Sequence, residues 1–175
     1  RPPRVHFVAN IDPRELDEVL CTCAPATTLF IVSSKSFTTL ETLANARAAR
    51  DWLRAGLGEA SDTGAHFAAV SNRVDWAGEF GIPAERVFAV PMWVGGRFSV
   101  WSAVGLPALI ALGEGDFDAM FAGARSMDEH FRHAPLERNL PVMLALTGIW
   151  NANFLDIGDL AALPYAHGLR SFPAW

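Results

Sequence analysis

Cysteine is nearly missing from this sequence: only Cys21 and Cys23 occur, one residue apart. That spacing is too short for an ordinary disulfide framework, and without a second ligand pair it is poor ground for zinc. Both read as free thiols near a helix end, in keeping with a reducing cytoplasm. Charge is sparse as well, with 19% charged residues and a net charge of −5. No basic run stands out, which argues against nucleic acid or an anionic membrane as a main partner. No run of about 18 uninterrupted apolar residues occurs, so no membrane span is expected. Internal repeats and low-complexity segments are also lacking. Arg1-Pro2-Pro3-Arg4-Val5 carries neither an initiator Met nor a signal-peptide core, and Phe172-Pro173-Ala174-Trp175 ends as abruptly. Both ends suit an internal piece of a longer chain.

What is present is apolar: 51% of the 175 residues are hydrophobic, enough for one full domain or parts of two. The first half alternates strand and helix. Val5-His6-Phe7-Val8-Ala9 predicts a strand, and Asp12 with Pro13 predicts the N-cap and first position of a helix to about Leu20. A second strand over Thr28-Leu29-Phe30-Ile31-Val32 leads into a helix from about Leu40 to Leu57. Strands follow at His66-Phe67-Ala68-Ala69-Val70 and Val87-Phe88-Ala89-Val90, with a short helix from Asp75 to Phe80 between them that stops at Gly81-Ile82-Pro83. Strands this apolar are covered on both faces, so the expected fold class is α/β: a three-layer α-β-α parallel sheet of Rossmann-like topology. Right-handed crossovers then bring every strand-to-helix loop to one sheet edge, where such folds bind ligands.

The second half predicts helices from Ser99 to Leu112, Phe117 to His133 and Leu140 to Phe154. Asp116 is the expected cap of the second, and Ala161-Ala162-Leu163-Pro164 reads as a new strand. The domain organisation expected is most of one domain over residues 1–113, then connecting helices and the start of a second, incomplete one over 114–175.

Two constellations carry chemistry. Ser33-Ser34-Lys35-Ser36-Phe37-Thr38-Thr39 lies between a buried strand and a helix N-terminus, where unpaired N–H groups and the helix dipole favour an anion. Helix capping with solvated polar neighbours explains the hydroxyls equally well but does not require the lysine. The loop lacks the glycines and the Gly-Lys-Ser/Thr ending of a nucleotide-hydrolysing loop. Trp93-Val94-Gly95-Gly96-Arg97-Phe98-Ser99 follows the last strand of the first half. Its glycines admit close backbone approach and its arginine offers a planar fork to an oxyanion, although a glycine turn with a surface arginine has the same pattern. Together the loops describe an anionic substrate.

Other residues say less. His6 and His66 fall within predicted strands and read as core or near-core residues. His130 and His133 have metal-compatible spacing but no third ligand, and suit a helix C-terminus; the role of His167 stays open. The tryptophans read as packing residues. Glu41 is equally a dipole partner or a base. No nucleophile elbow, catalytic carboxylate pair or dinucleotide fingerprint occurs.

The run Ser34-Lys35-Ser36-Phe37-Thr38-Thr39-Leu40-Glu41-Thr42 resembles the phosphate-loop segment S-K-T-F-T-T-x-E-T of the glucose-6-phosphate isomerase family. Trp93-Val94-Gly95-Gly96-Arg97-Phe98-Ser99-Val100-Trp101-Ser102-Ala103-Val104-Gly105-Leu106 is similar to its W-V-G-G-R-[YF]-S-x-W-S-A-[IV]-G-L signature. Shorter similarities run through Met127-Asp128-Glu129-His130-Phe131, Asn139-Leu140-Pro141-Val142, Gly148-Ile149-Trp150 and Leu163-Pro164-Tyr165. Departures include Ser36 for the usual Thr, Leu40 where Gln is common, Pro91-Met92 where an Asp often precedes the Trp, and Ala166-His167 where Asp-Gln often follows the Tyr. None removes a phosphate contact.

The resemblance implies sugar-isomerase domains and interconversion of glucose 6-phosphate and fructose 6-phosphate through an enediol(ate), a step of glycolysis and gluconeogenesis. It implies no metal or organic cofactor, a phosphorylated hexose as substrate, a cytoplasmic setting and a homodimer for the intact enzyme. Carried over, Ser34, Lys35, Ser36 and Thr39 would hold the sugar phosphate. Gly96 and Arg97 would face the reacting carbons, Arg97 stabilising the enediolate, an effect on the order of 3–4 kcal/mol. The family's glutamate base, ring-opening histidine and late lysine belong to segments after Trp175, and a glycine-serine substrate loop belongs before Arg1. Little turnover is therefore expected from these 175 residues alone. The other function considered is a regulatory phosphosugar-binding domain without chemistry, which has no need of an enediolate arginine.

Overall fold

The computed structural model describes residues 3–96 and 98–172. The chain divides into two compact units, Arg1–Phe121 and Ala122–Trp175.

In the first unit Asp12 caps helix α1 (Pro13–Leu20) by accepting the Arg14 N–H at 3.0 Å, with Pro13 at the start. Strand β1 (Phe30–Ser33) leads to helix α2 (Leu40–Leu57), β2 (Phe67–Val70) to α3 (Val74–Phe80), and β3 (Val87–Phe88) to the segment ahead of α4 (Leu106–Leu112). The three strands are parallel in the order β1-β2-β3, with Phe30 opposite Phe67 and Val70 opposite Phe88. Helix α3 ends as its sequence requires: Gly81 takes the left-handed conformation, φ 100°, open to glycine at no steric cost.

Alternation along the strands builds two cores. Phe30, Val32, Phe67 and Ala69 face Ala46, Ala49 and Leu53 of α2 and Ala77 and Phe80 of α3. Ile31 and Val70 face the other way, against Val90, Val94, Val104 and Leu106. Central β2 is buried along its whole length, so the sheet is covered on both faces and the α/β class follows. Parallel order sends the loops after Ser33, Val70 and Phe88 to the same edge.

Several elements differ from expectation. Residues 5–9 form no strand: their apolar pattern finds no ladder, and His6 and Phe7 are exposed rather than core. His66 ends a 3-10 turn before β2, its ring Nδ1 2.8 Å from Thr28 O. Strand β3 stops at Phe88, two residues early, because the Val90 N–H turns to the Asn72 side chain and Pro91 has no N–H to offer. Helix α4 begins at Leu106 rather than Ser99, where Pro107 fits the first turn and would obstruct an interior. Residues 161–164 are irregular.

Helix α5 (Glu114–His133) starts earlier than expected, so Asp116 lies in its first turn instead of capping it. In the second unit Asn139, 2% exposed, joins α5 to α6 (Leu140–Phe154). Its Nδ2 donates to Phe131 O at 2.7 Å and its Oδ1 accepts the Val142 N–H at 3.3 Å. The Leu140 N–H donates to His130 Nε2 at 3.0 Å, and His133 pairs with Glu129 at 3.1 Å. Trp150 and Phe154 stack at 4.7 Å yet remain 55% and 67% exposed. A helix apolar all round calls for cover on every side. Among the described residues no helix is long and apolar enough to cross a membrane, and no group of three His, Cys, Asp or Glu could hold a metal ion. Cys21 and Cys23 are free thiols.

Candidate functional site

The loop from β1 to α2 is fastened at its base. The Ser34 N–H donates to Val70 O at 3.0 Å, extending the ladder one residue beyond β1, and Ser34 is 5% exposed. Phe37 reverses the chain with φ 53°, unusual for a bulky residue, while its ring is buried in the core and meets Phe80 edge-on at 6.1 Å. Core burial thus holds the loop in a strained backbone shape.

Within the loop the hydroxyls pair with one another. Ser34 Oγ lies 3.1 Å from Thr39 Oγ1, and Ser36 Oγ 2.6 Å from Thr38 Oγ1. Thr39 is the N-cap of α2, but its hydroxyl is drawn to Ser34 and makes no capping bond. The first-turn N–H groups of an 18-residue helix are left without a side-chain acceptor. Ser34 and Thr39 therefore meet at a helix N-terminus suited to an anion, and Ser36 is held against Thr38 in the same loop.

Lys35 joins the two loops picked out in the sequence. It is the sole lysine of the chain, and its ammonium donates to Met92 O at 2.7 Å and to Val94 O at 3.0 Å. An ammonium has three N–H donors, so one remains for a ligand. Behind it, the Lys35 carbonyl accepts the Asn72 N–H at 3.0 Å and the Ser71 hydroxyl at 3.3 Å. Ser71 and Asn72 were missed in the sequence. Their signal is positional: two polar residues directly after a fully buried strand, at the ligand-binding edge of a parallel sheet.

The Trp93 loop follows. Pro91 O accepts the Val94 N–H at 3.0 Å, and Ser99 Oγ donates to Gly96 O at 2.5 Å. A Cβ built on Gly95 or Gly96 would meet nothing within 4 Å, so no described neighbour forces either to be glycine. An open cavity of about 530 Å³ lies alongside, lined by Trp93, Val94, Gly95, Phe98 and Trp101 among others. Arg97, the arginine expected to face an oxyanion, lies outside the described residues.

At the start of α3, Arg73 grips Asp75 with two bonds of 2.9 and 2.7 Å and stacks on Trp76, 3.8 Å from the ring centroid. That hydrogen bond first, aided by the Trp76 N–H, lowers the Asp75 carboxyl to about 2, and the same pairing raises the Arg73 guanidinium.

The family model for phosphoglucose isomerase matches residues 1–175. Glucose-6-phosphate isomerase of Aromatoleum aromaticum is 66% identical over 173 residues, covering 99% of this chain and 32% of that protein. Glucose-6-phosphate isomerase 2 of Neisseria meningitidis is 55% identical over 172 residues, covering 98% and 31%. The crystal structure of a glucose-6-phosphate isomerase from Chlamydia trachomatis superposes with a TM-score of 0.80 at 36% identity, covering 96% of this chain and 32% of that one. The chain spans about a third of the length of these relatives.

Proposed function

This chain belongs to the phosphoglucose isomerase family, and from that premise we propose that it forms the phosphate-binding and oxyanion-binding part of an enzyme interconverting glucose 6-phosphate and fructose 6-phosphate. Ser34, Ser36 and Thr39, with the open N–H groups of α2, hold the phosphate, and Lys35 adds its remaining N–H. Gly96 and Arg97 serve the reacting end of the sugar, Arg97 stabilising the enediolate while a proton moves between C1 and C2. The base that moves it belongs to a part of the enzyme outside these 175 residues, and the chemistry calls for neither metal nor organic cofactor. The intact enzyme is a homodimer of sugar-isomerase domains acting in cytoplasmic glycolysis and gluconeogenesis.

The observation that carries this reading is the pair of Lys35 bonds to Met92 O and Val94 O. They tie the hydroxyl loop after β1 to the segment that carries Gly95 and Gly96, which supports one ligand reaching both. A test is steady-state kinetics of Arg97→Ala in a full-length enzyme carrying this segment. Loss of transition-state stabilisation lowers kcat by roughly 100-fold or more while glucose 6-phosphate affinity changes far less. Loss of affinity with kcat retained would instead favour a role in binding alone.

A further inference from the structure

We propose that Asn72 is a positioning residue that sets residues 89–96 against the phosphate loop, and through them the reacting end of the substrate. The inference deepens the isomerase reading and rests on it. Strand β3 has only two residues, and its ladder to β2 closes with the Ser71 N–H on Phe88 O at 3.0 Å. Beyond that point no strand pairing fixes the described residues of this segment, although the glycine loop proposed to serve the reacting carbons follows it.

Two side chains take over from the ladder. Asn72 Oδ1 accepts the buried Val90 N–H at 2.8 Å, and its Nδ2 lies 3.1 Å from Met92 Sδ. Lys35 holds the same segment through Met92 O and Val94 O. Asn72 also grips Lys35 itself, its own N–H donating to the Lys35 carbonyl. One residue therefore touches all three strand-end loops, and its oxygen fixes where the third begins. The Val90 N–H needs an acceptor there, because a buried donor without one is costly. Aspartate keeps that acceptor oxygen, serine is too short to reach, and alanine removes it.

The test compares Asn72→Ala and Asn72→Asp in a full-length enzyme carrying this segment. Misplacing a reacting group by an ångström costs about 100-fold, so Asn72→Ala should lower kcat by about 10- to 100-fold with KM within about threefold. Its Kd for inorganic phosphate should stay within about twofold, since the cradle is intact, and Asn72→Asp should recover kcat to within about fivefold. If Asn72→Ala does not fold, Asn72→Ser carries the same expectation. A variant that loses thermal stability but keeps kcat per folded molecule overturns the proposal, as does a phosphate Kd that worsens in step with kcat. If the unsubstituted enzyme shows no isomerisation, the isomerase reading fails by itself. Amide hydrogen exchange then decides on Asn72: faster exchange at Val90 and Val94, whose N–H groups are bonded, in Asn72→Ala, restored by Asn72→Asp, supports positioning, and unchanged exchange refutes it.

Discussion

Replacing Lys35 by methionine keeps a long apolar stem and deletes the ammonium that joins the two loops. Two charge-assisted bonds are lost, one exposed at 2.7 Å and one half-buried at 3.0 Å. Hydrogen bonds to charged groups contribute about 1.5–3 kcal/mol. The exposed bond is screened by water and counts for about 0.5 kcal/mol, so together they hold the loop by about 2 kcal/mol. The effect is local, because the Lys35 carbonyl stays gripped by Asn72 and Ser71. The Val94 N–H, bonded to Pro91 O, is the reporter for amide hydrogen exchange. A loss of about 2 kcal/mol accelerates its exchange by roughly 30-fold. Amides in the core of α2, such as Ala49 and Leu53, should slow or speed by far less. Arginine at position 35 should restore part of the protection, since it keeps the charge but not the compact donor. Val94 exchange within twofold of the parent in the methionine variant would refute the bridge.

Phe37→Ala should destabilise the first unit by about 3–4 kcal/mol, read as a lower urea midpoint, because a buried ring is removed from the core. A Cβ at Gly64 would collide with the Gly81 carbonyl, whereas one at Gly78 in α3 meets nothing within 4 Å. Gly64→Ala should therefore lower Tm, while Gly78→Ala should raise stability by about 0.5–1 kcal/mol through helix propensity. Asp75 has a depressed carboxyl pKa, so its contribution to stability is fully present above the ordinary value near 3.8 and is lost as pH falls toward about 2. A carboxyl ¹³C titration should find that low midpoint, and Arg73→Gln should move it up toward the ordinary value.

Local chemistry made much of the fold legible in advance. Asp12-Pro13 capped α1 as written, α2 ran from Leu40 to Leu57, and Gly81 stopped α3. Each of these is decided within a few residues. Residues 5–9 and 161–164 carry strand-like patterns but depend on a neighbouring ladder, which local sequence does not specify. Pro107 was visible, yet the apolar pattern before it concealed the later start of α4. The two loops of the candidate site stood out by residue type, and parallel topology sends both to one sheet edge. Their fastening did not stand out, because Lys35 acts across more than fifty residues on backbone carbonyls. Asn72 is likewise defined by partners in two other loops.

The claim that one pocket joins a phosphate end to a reacting end is tested most directly by amide NMR with two ligands. Inorganic phosphate should shift the amides of residues 34–42 and leave Gly95 and Gly96 in place. Glucose 6-phosphate should shift both sets, with a common Kd. Shifts from glucose 6-phosphate confined to one loop, or absent from residues 34–42, would contradict the shared pocket.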